Sequence, residues 1–235
     1  MEKVIAALWA PDGESRATFN QRLLEELVPE LQAAGALHIR LNLRDDAVEP
    51  AQSLTQIWQA PQQDAVAQFW VPSSHAMFFG AVDTVLNQYS AHHAAWLVIE
   101  STIIPNKDHP PVRGERSYGW SQMAFLNFRV DQSHAESIQH WHDHHTNVAI
   151  VTQSNFEYAQ NLVIRALTPD APKYDAIVEE CFPPEAMSDP AAFFDAVNDP
   201  TLLEDNIRRM MESCAGFLKF GELDVIPTSQ YVIHD

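Results

Sequence analysis

The feature that most constrains this chain is one order of elements written twice. Residues 4–10 are apolar and strand-like, a polar turn passes through Pro11 and Gly13, and Leu23, Leu27 and Leu31 form a helical stripe that stops at Gly35. The alternating run His38-Ile39-Arg40-Leu41-Asn42-Leu43 suits a strand, and so does Ala65-Val66-Ala67-Gln68-Phe69-Trp70. Residues 75–89 read as a helix with Met77, Phe78, Ala81, Val85 and Tyr89 near one side, and Trp96 to Ile104 closes the unit as a strand. After residues 105–118, rich in Pro and Gly and read as a linker, the order β-α-β-β-α-β returns. Strands are expected at Met123 to Val130, Tyr158 to Leu167, Tyr174 to Phe182 and Leu223 to Ile233. Ser133 with Glu136 makes a capping box for the first helix, and helical material runs from about 189 to 219.

The halves align in two places. At an offset of 118, Ser15 meets Ser133, Gln21 meets Gln139, Leu23 meets Trp141 and Leu27 meets His145. At an offset of 111, Asp64-Ala65-Val66-Ala67-Gln68 meets Asp175-Ala176-Ile177-Val178-Glu179. A β-α-β-β-α-β unit makes a four-stranded antiparallel sheet with both helices on one face, so the other face needs a partner. The expected fold is therefore α+β: two ferredoxin-like units in tandem, 1–104 and 119–235, whose sheets face each other and enclose a space. The second helical region carries Leu203, Ile207, Met210, Met211, Cys214 and Leu218, a Met-rich stripe read as core packing.

Charge removes several classes of function. The 32 acidic and 14 basic side chains leave −18, which opposes a general hold on nucleic acid or anionic lipid. No apolar stretch reaches the roughly 18 residues of a membrane span, and the start lacks a signal-peptide pattern, so a cytoplasmic protein is expected. None of the 7 glycines forms a phosphate-cradling motif. Cys181 and Cys214 lack metal-ligand spacing and read as reduced core residues.

The chemistry concentrates in His140-Trp141-His142-Asp143-His144-His145. Helical spacing puts Ile138, Trp141, His145 and Val148 or Ala149 on the apolar stripe, with His140, Asp143, His144 and Asn147 facing solvent. The i,i+4 pair His140 and His144 has no third ligand or metalloenzyme motif nearby, so no metal is expected. His145 on the stripe reads as an acid-base group, since Leu27 fills the matching place in the first half. Alternation places Glu179 and Glu180 on opposite faces of one strand, and one of them should face inward. Tyr158, Gln160 and Asn161 offer hydrogen bonds to a ligand.

Trp141 with His145, then Tyr158-Ala159-Gln160-Asn161, then Tyr174-Asp175-Ala176 with Glu179 and Phe182, resemble the EthD family of dimeric α/β-barrel proteins in order and register over roughly residues 120–233. The first half resembles a degenerate copy without the tryptophan and histidine. The resemblance implies face-to-face sheets, with relatives that include cofactor-free monooxygenases, polyketide cyclases, decarboxylases and, more distantly, haem enzymes. It also implies that His145 is the family's helix histidine.

The leading expectation is a cofactor-independent enzyme acting on an aromatic or polyketide-like compound by decarboxylation, cyclisation or dehydration. His145 would move a proton, Glu179 or Tyr158 would orient it, and Trp141, Gln160, Asn161 and Asp175 would hold the ligand. The alternatives are a non-catalytic small-ligand binder and, third, haem binding through His145. The assembly expected is a monomer with an internal pseudo-dimer, or a homodimer of it.

Overall fold

The computed structural model describes residues 1–233; the last two residues of the expected 119–235 unit lie outside the described residues. The strands are β1 (Glu2–Trp9), β2 (Leu37–Leu43), β3 (Ala65–Val71), β4 (His92–Ile104), β5 (Trp120–Phe128), β6 (Glu157–Ala166), β7 (Ala176–Phe182) and β8 (Leu218–Val232). They form one closed barrel in the order β1-β3-β2-β8-β5-β7-β6-β4, every pair antiparallel. Within the first half the order is β4-β1-β3-β2, and within the second it is β8-β5-β7-β6. The β2–β8 and β4–β6 pairs join the halves, so no sheet edge is left open.

Most of these strands are buried on both faces, which is why β1 is apolar from Val4 to Trp9 and β3 is broken only by Gln68, while β7 carries the pair Glu179 and Glu180. Along β1, Val4, Ala6 and Leu8 pack outward under the first half's helices, while Ile5 and Ala7 point into the barrel. One part of the barrel interior is filled by Trp96, Phe125, Tyr174, Ile177 and Ile226. The rest holds a buried polar cluster centred on Glu179. Its carboxylate accepts from Arg40 at 2.6 Å, Asn42 at 2.7 Å, Gln68 at 2.8 Å, Gln230 at 2.9 Å and Ser121 at 3.0 Å. Lys3 pairs with Glu100 and donates to Asn161 Oδ1 at 2.8 Å in the same interior. The interior is thus occupied by side chains rather than enclosing a ligand space, because both sheets contribute large and polar residues to the face they share.

The first helical layer consists of α1 (Arg16–Arg22), a π-helical turn Leu23–Leu27, α2 (Val28–Ala33) and α3 (Ala76–Tyr89). The second consists of α4 (His134–His140), a π-helical turn Trp141–His145, α5 (Thr146–Thr152), the short α6 (Pro190–Phe193) and α7 (Pro200–Ala215). The two π turns are 118 residues apart, the offset at which the halves align. In each, a backbone N–H reaches five residues back, from Val28 to Leu23 and from Thr146 to Trp141. The capping box is present: Glu136 N–H donates to Ser133 Oγ at 3.2 Å, and Ser133 N–H donates to Glu136 Oε2 at 2.8 Å.

Three local expectations are corrected. The buried face of α3 is Phe79, Val82, Leu86 and Tyr89, at 3-4-3 spacing; Met77 and Phe78 are exposed, because the stripe that begins at Phe79 is the one turned against the sheet. The polar connection after β2 contains a 3-10 helix, Asp46–Leu54, whose Val48 and Ala51 pack against Trp120 and Phe182. His140 does not face solvent: its ring Nε2–H donates to the Ser213 carbonyl at 3.0 Å and stacks on Phe217. Gly216 permits this approach, since a Cβ there would stand 2.2 Å from His140 Nε2. No helix among the described residues is long and apolar enough to cross a membrane.

Candidate functional site

A cavity of about 570 Å3 opens between the outer face of the second half's sheet and its helices. Its floor is built from outward side chains of four strands, including Gln122 on β5, Tyr158 on β6, Glu180 on β7 and Val225 on β8. Trp141 and His145 reach it from the π turn, and Met210, Cys214 and Phe217 from α7 and its end. Ser53, Leu54, Thr55 and Gln56, from the first half, complete the wall. That segment is held by a two-way backbone bridge between Gln56 and Val225, at 3.1 and 2.9 Å. Asp224 reinforces it by accepting from the backbone N–H of Trp58 at 2.9 Å.

In the first half the matching positions are apolar and packed. Leu23 stands for Trp141 and Leu27 for His145, and Phe69 stands for Glu180 at the 111 offset; all three are fully buried. The fold therefore does not require polar groups at these places, and in the second half they surround the cavity instead.

His145 is nearly buried, with Nδ1 2.8 Å from Ser213 Oγ and its ring 4.8 Å from that of Phe217. Burial, with His140 and His144 nearby, lowers its pKa to about 4, so the imidazole is neutral at pH 7. The Tyr158 phenol accepts from Gln160 Nε2–H at 2.6 Å and from the Trp141 indole. Both lone pairs are then used, and its own proton is the remaining hydrogen-bonding capacity. Burial, then the charge of Glu180, pushes its pKa well above the usual range, so it stays a donor. Glu180 is the neighbour of Tyr158 across the β6–β7 ladder. Its carboxylate accepts from Asn155 at 2.8 Å and from Gln122, both neutral amides. Burial outweighs those bonds and raises its pKa to about 7. Burial likewise raises the Cys214 thiol to about 12, which keeps it a poor nucleophile.

The expected site residues divide between the two faces of the sheet. Trp141, His145 and Tyr158 line the cavity together, and Gln160 stands behind Tyr158, bridging it to Thr146 Oγ1 at 2.9 Å. Glu179 does not partner His145; it lies on the other face of β7, inside the barrel, with Arg40. Arg40 and bonds from Gln230 and Asn42 overcome burial and hold its pKa down to about 2. Asn161 also points into the barrel, donating to the Ile177 carbonyl at 3.0 Å. Asp175 lies at the strand's entry and accepts from the Phe128 N–H at 2.8 Å. The expectation that the cavity lies between the two sheets is corrected with these: it lies between sheet and helices. The Met-rich stripe serves two roles: Met210 and Leu218 are core residues with Cys214 packed against them, all three also line the cavity, and Met211 lines it while 53% exposed.

Glu180 and the wall at 53–56 lie outside the site residues expected from the sequence. The Glu179-Glu180 pair was the available signal for the first; nothing local marked the second.

Residues 129–215 match the family model described as the EthD domain. The EthD domain carries Trp141, His145, Tyr158, Glu180 and Cys214, and so most of the polar lining of the cavity. No curated protein matches the chain. Among solved structures, an anthrone oxidase-like protein aligns over 99% of this chain and 92% of its own, with 9% identity and a TM-score of 0.54. That likeness shows a shared fold over the whole chain, beyond the EthD domain itself. A monooxygenase-like protein from Lactobacillus acidophilus NCFM aligns over 99% and 95%, at 11% identity and a TM-score of 0.48. A chlorite dismutase-like protein aligns over 99% and 94%, at 10% identity and a TM-score of 0.49.

The cavity does not fit haem ligated by His145. A porphyrin's two propionates would meet a wall that carries Glu180 and neither lysine nor arginine.

Proposed function

We propose that the cavity is the active site of a small-molecule enzyme that moves a proton on an uncharged aromatic or polyketide-like compound. The observation that carries this reading is the cavity of about 570 Å3 in the second half, with Glu180 and His145 standing where the other has buried Phe69 and Leu27. A general acid-base group works best with a pKa near the working pH. Glu180, at about 7, meets that condition better than His145, at about 4. The proton shuttle is therefore assigned to Glu180, with His145 a neutral hydrogen-bonding group fixed by Ser213.

In the step proposed, the Glu180 carboxylate takes a proton from a carbon beside a ketone. The C–H electron pair moves into the new C=C bond, and the carbonyl pair moves onto oxygen. The Tyr158 O–H donates to that oxygen as negative charge develops there, and remains protonated. Glu180 then returns its proton to carbon or to oxygen. Enolisation, cyclisation and dehydration share this step. Decarboxylation is less well supported, since its anionic substrate would find no cation in the wall.

The two halves are read, in the same proposal, as tandem ferredoxin-like units with a linker at 105–118. The first has given up its own pocket and lends a wall to the second.

The test uses 2-tetralone, a neutral two-ring ketone with an acidic CH2, in D2O. Wild-type protein should accelerate hydrogen–deuterium exchange seen by NMR, and Glu180→Gln should remove the acceleration while folding is kept. Binding without any acceleration would favour the plain ligand binder, and neither binding nor exchange would overturn the proposal.

A further inference from the structure

We infer that the pocket selects aromatic molecules presenting a neutral hydrogen-bond donor, such as a phenol or enol hydroxyl, and rejects aromatic carboxylates of the same size. This rests on the cavity being the ligand site, as proposed above, and adds the charge class of what it takes.

Three observations carry it. First, the residues lining the cavity include one carboxylate, Glu180, and no lysine or arginine. Second, Glu180 is buried and held by two neutral amides, Asn155 and Gln122. Two oxygens have about four lone-pair sites, so accepting capacity remains for a ligand's donor. Third, the wall around it is aromatic, with Trp141 and Phe217 stacked 11° from parallel at 6.1 Å, so a flat ring finds contact area and no compensating charge. Two surface cations of this half are engaged elsewhere, Arg129 with Asp131 and Lys219 with Glu222. A ligand carboxylate entering here would lose its water and face a like charge, whereas a hydroxyl would gain an acceptor. The enol that 2-tetralone forms, 3,4-dihydro-2-naphthol, likewise presents a neutral hydroxyl, and 2-naphthol serves only as a stable probe of that donor.

The experiment titrates the full chain at pH 7 with naphthalene, 2-naphthol and 2-naphthoate by calorimetry. The expected order is 2-naphthol tightest, exceeding 2-naphthoate by about tenfold or more. Glu180→Gln should narrow the naphthol-to-naphthoate ratio to within about threefold. Equal or tighter binding of 2-naphthoate by the wild type would overturn the inference, and so would a ratio unchanged in Glu180→Gln. Met211→Trp, at the exposed mouth and away from the core, locates the probes. If it weakens all three while the order is wrong, the pocket stands as the ligand site and only the charge selection fails. If it changes none of them, the probes bind elsewhere and the site reading fails with it.

Discussion

Glu179 and Glu180 are consecutive in β7 and face opposite ways, one into the barrel against Arg40 and the other into the cavity beside Tyr158. One carboxylate is held ionised by a cation and four neutral side chains. The other has neutral amides and no cation, and keeps a pKa near neutrality. A period of two residues, on a strand buried on both faces, turns neighbours in sequence into a structural anchor and a chemical group.

Glu179→Gln tests the anchor. Removing the charge leaves Arg40 with Glu157 at 2.9 Å as its remaining partner and disturbs bonds from four strands. Denaturant unfolding should show a loss of about 3 kcal/mol, with the affinity for 2-naphthol unchanged. A variant as stable as wild type would show that the cluster does not hold the barrel.

Glu180→Gln should have the opposite character. A carboxyl whose pKa rises from 4.5 unfolded to about 7 folded binds its proton more tightly in the native state. Its favourable contribution is complete below pH 4.5 and is lost as pH rises through 7, by an amount on the order of 3 kcal/mol. Glutamine cannot ionise, so the variant should lose less stability than wild type between pH 5 and 8. Unfolding curves at those two pH values check this, and parallel losses in both proteins would refute the assignment.

His145→Leu installs the side chain that the first half carries at this place. The histidine's pKa falls from 6.5 unfolded to about 4 folded, so its contribution is present above pH 6.5 and is lost as pH falls through 4. The leucine variant should therefore keep more of its stability than wild type between pH 6.5 and 4, while exchange of 2-tetralone slows. Unaltered exchange would remove His145 from the mechanism.

Leu54→Ala addresses the wall lent by the first half. Shortening it should widen the cavity on one side and favour 2-hydroxyanthracene over 2-naphthol by about threefold or more relative to wild type. Calorimetric titration decides it, and an unchanged preference would mean that residues 53–56 do not shape selection.

Gly216→Ala probes the close approach behind the π turn. The new Cβ would fall 2.2 Å from His140 Nε2, so the ring must move off the Ser213 carbonyl. A cost of about 1–3 kcal/mol in unfolding free energy is expected. An unchanged melting temperature would show that His140 can leave its place freely.

Much of the architecture was legible in the order of residues. Apolar runs and turn residues placed all eight strands to within a few positions, because a strand buried on both faces is built mostly from apolar side chains. Ser133 and Glu136 announce their helix start, and the 118 offset aligns the two helices in which the structure places the π turns. Trp141, His145 and Tyr158 were legible as a group because their helix and strand each present one face to the sheet–helix interface. The stripe on α3 was not legible and that on α7 only in part, since wholly helical spacing cannot say which apolar face meets the core and which lines a cavity.

The chain's order of residues by itself determined two β-α-β-β-α-β halves, closure of their apolar sheets upon one another, and an imidazole on a buried helical stripe in only one of them. Tertiary structure alone decided that the space between the sheets is filled and that the open cavity lies under the second half's helices. It also decided which of two adjacent glutamates meets that cavity, and that residues 53–56 cross from the other half to close it. Alternation specifies that two faces differ; only the assembled barrel decides which face becomes its interior, because that depends on side chains brought together from distant strands.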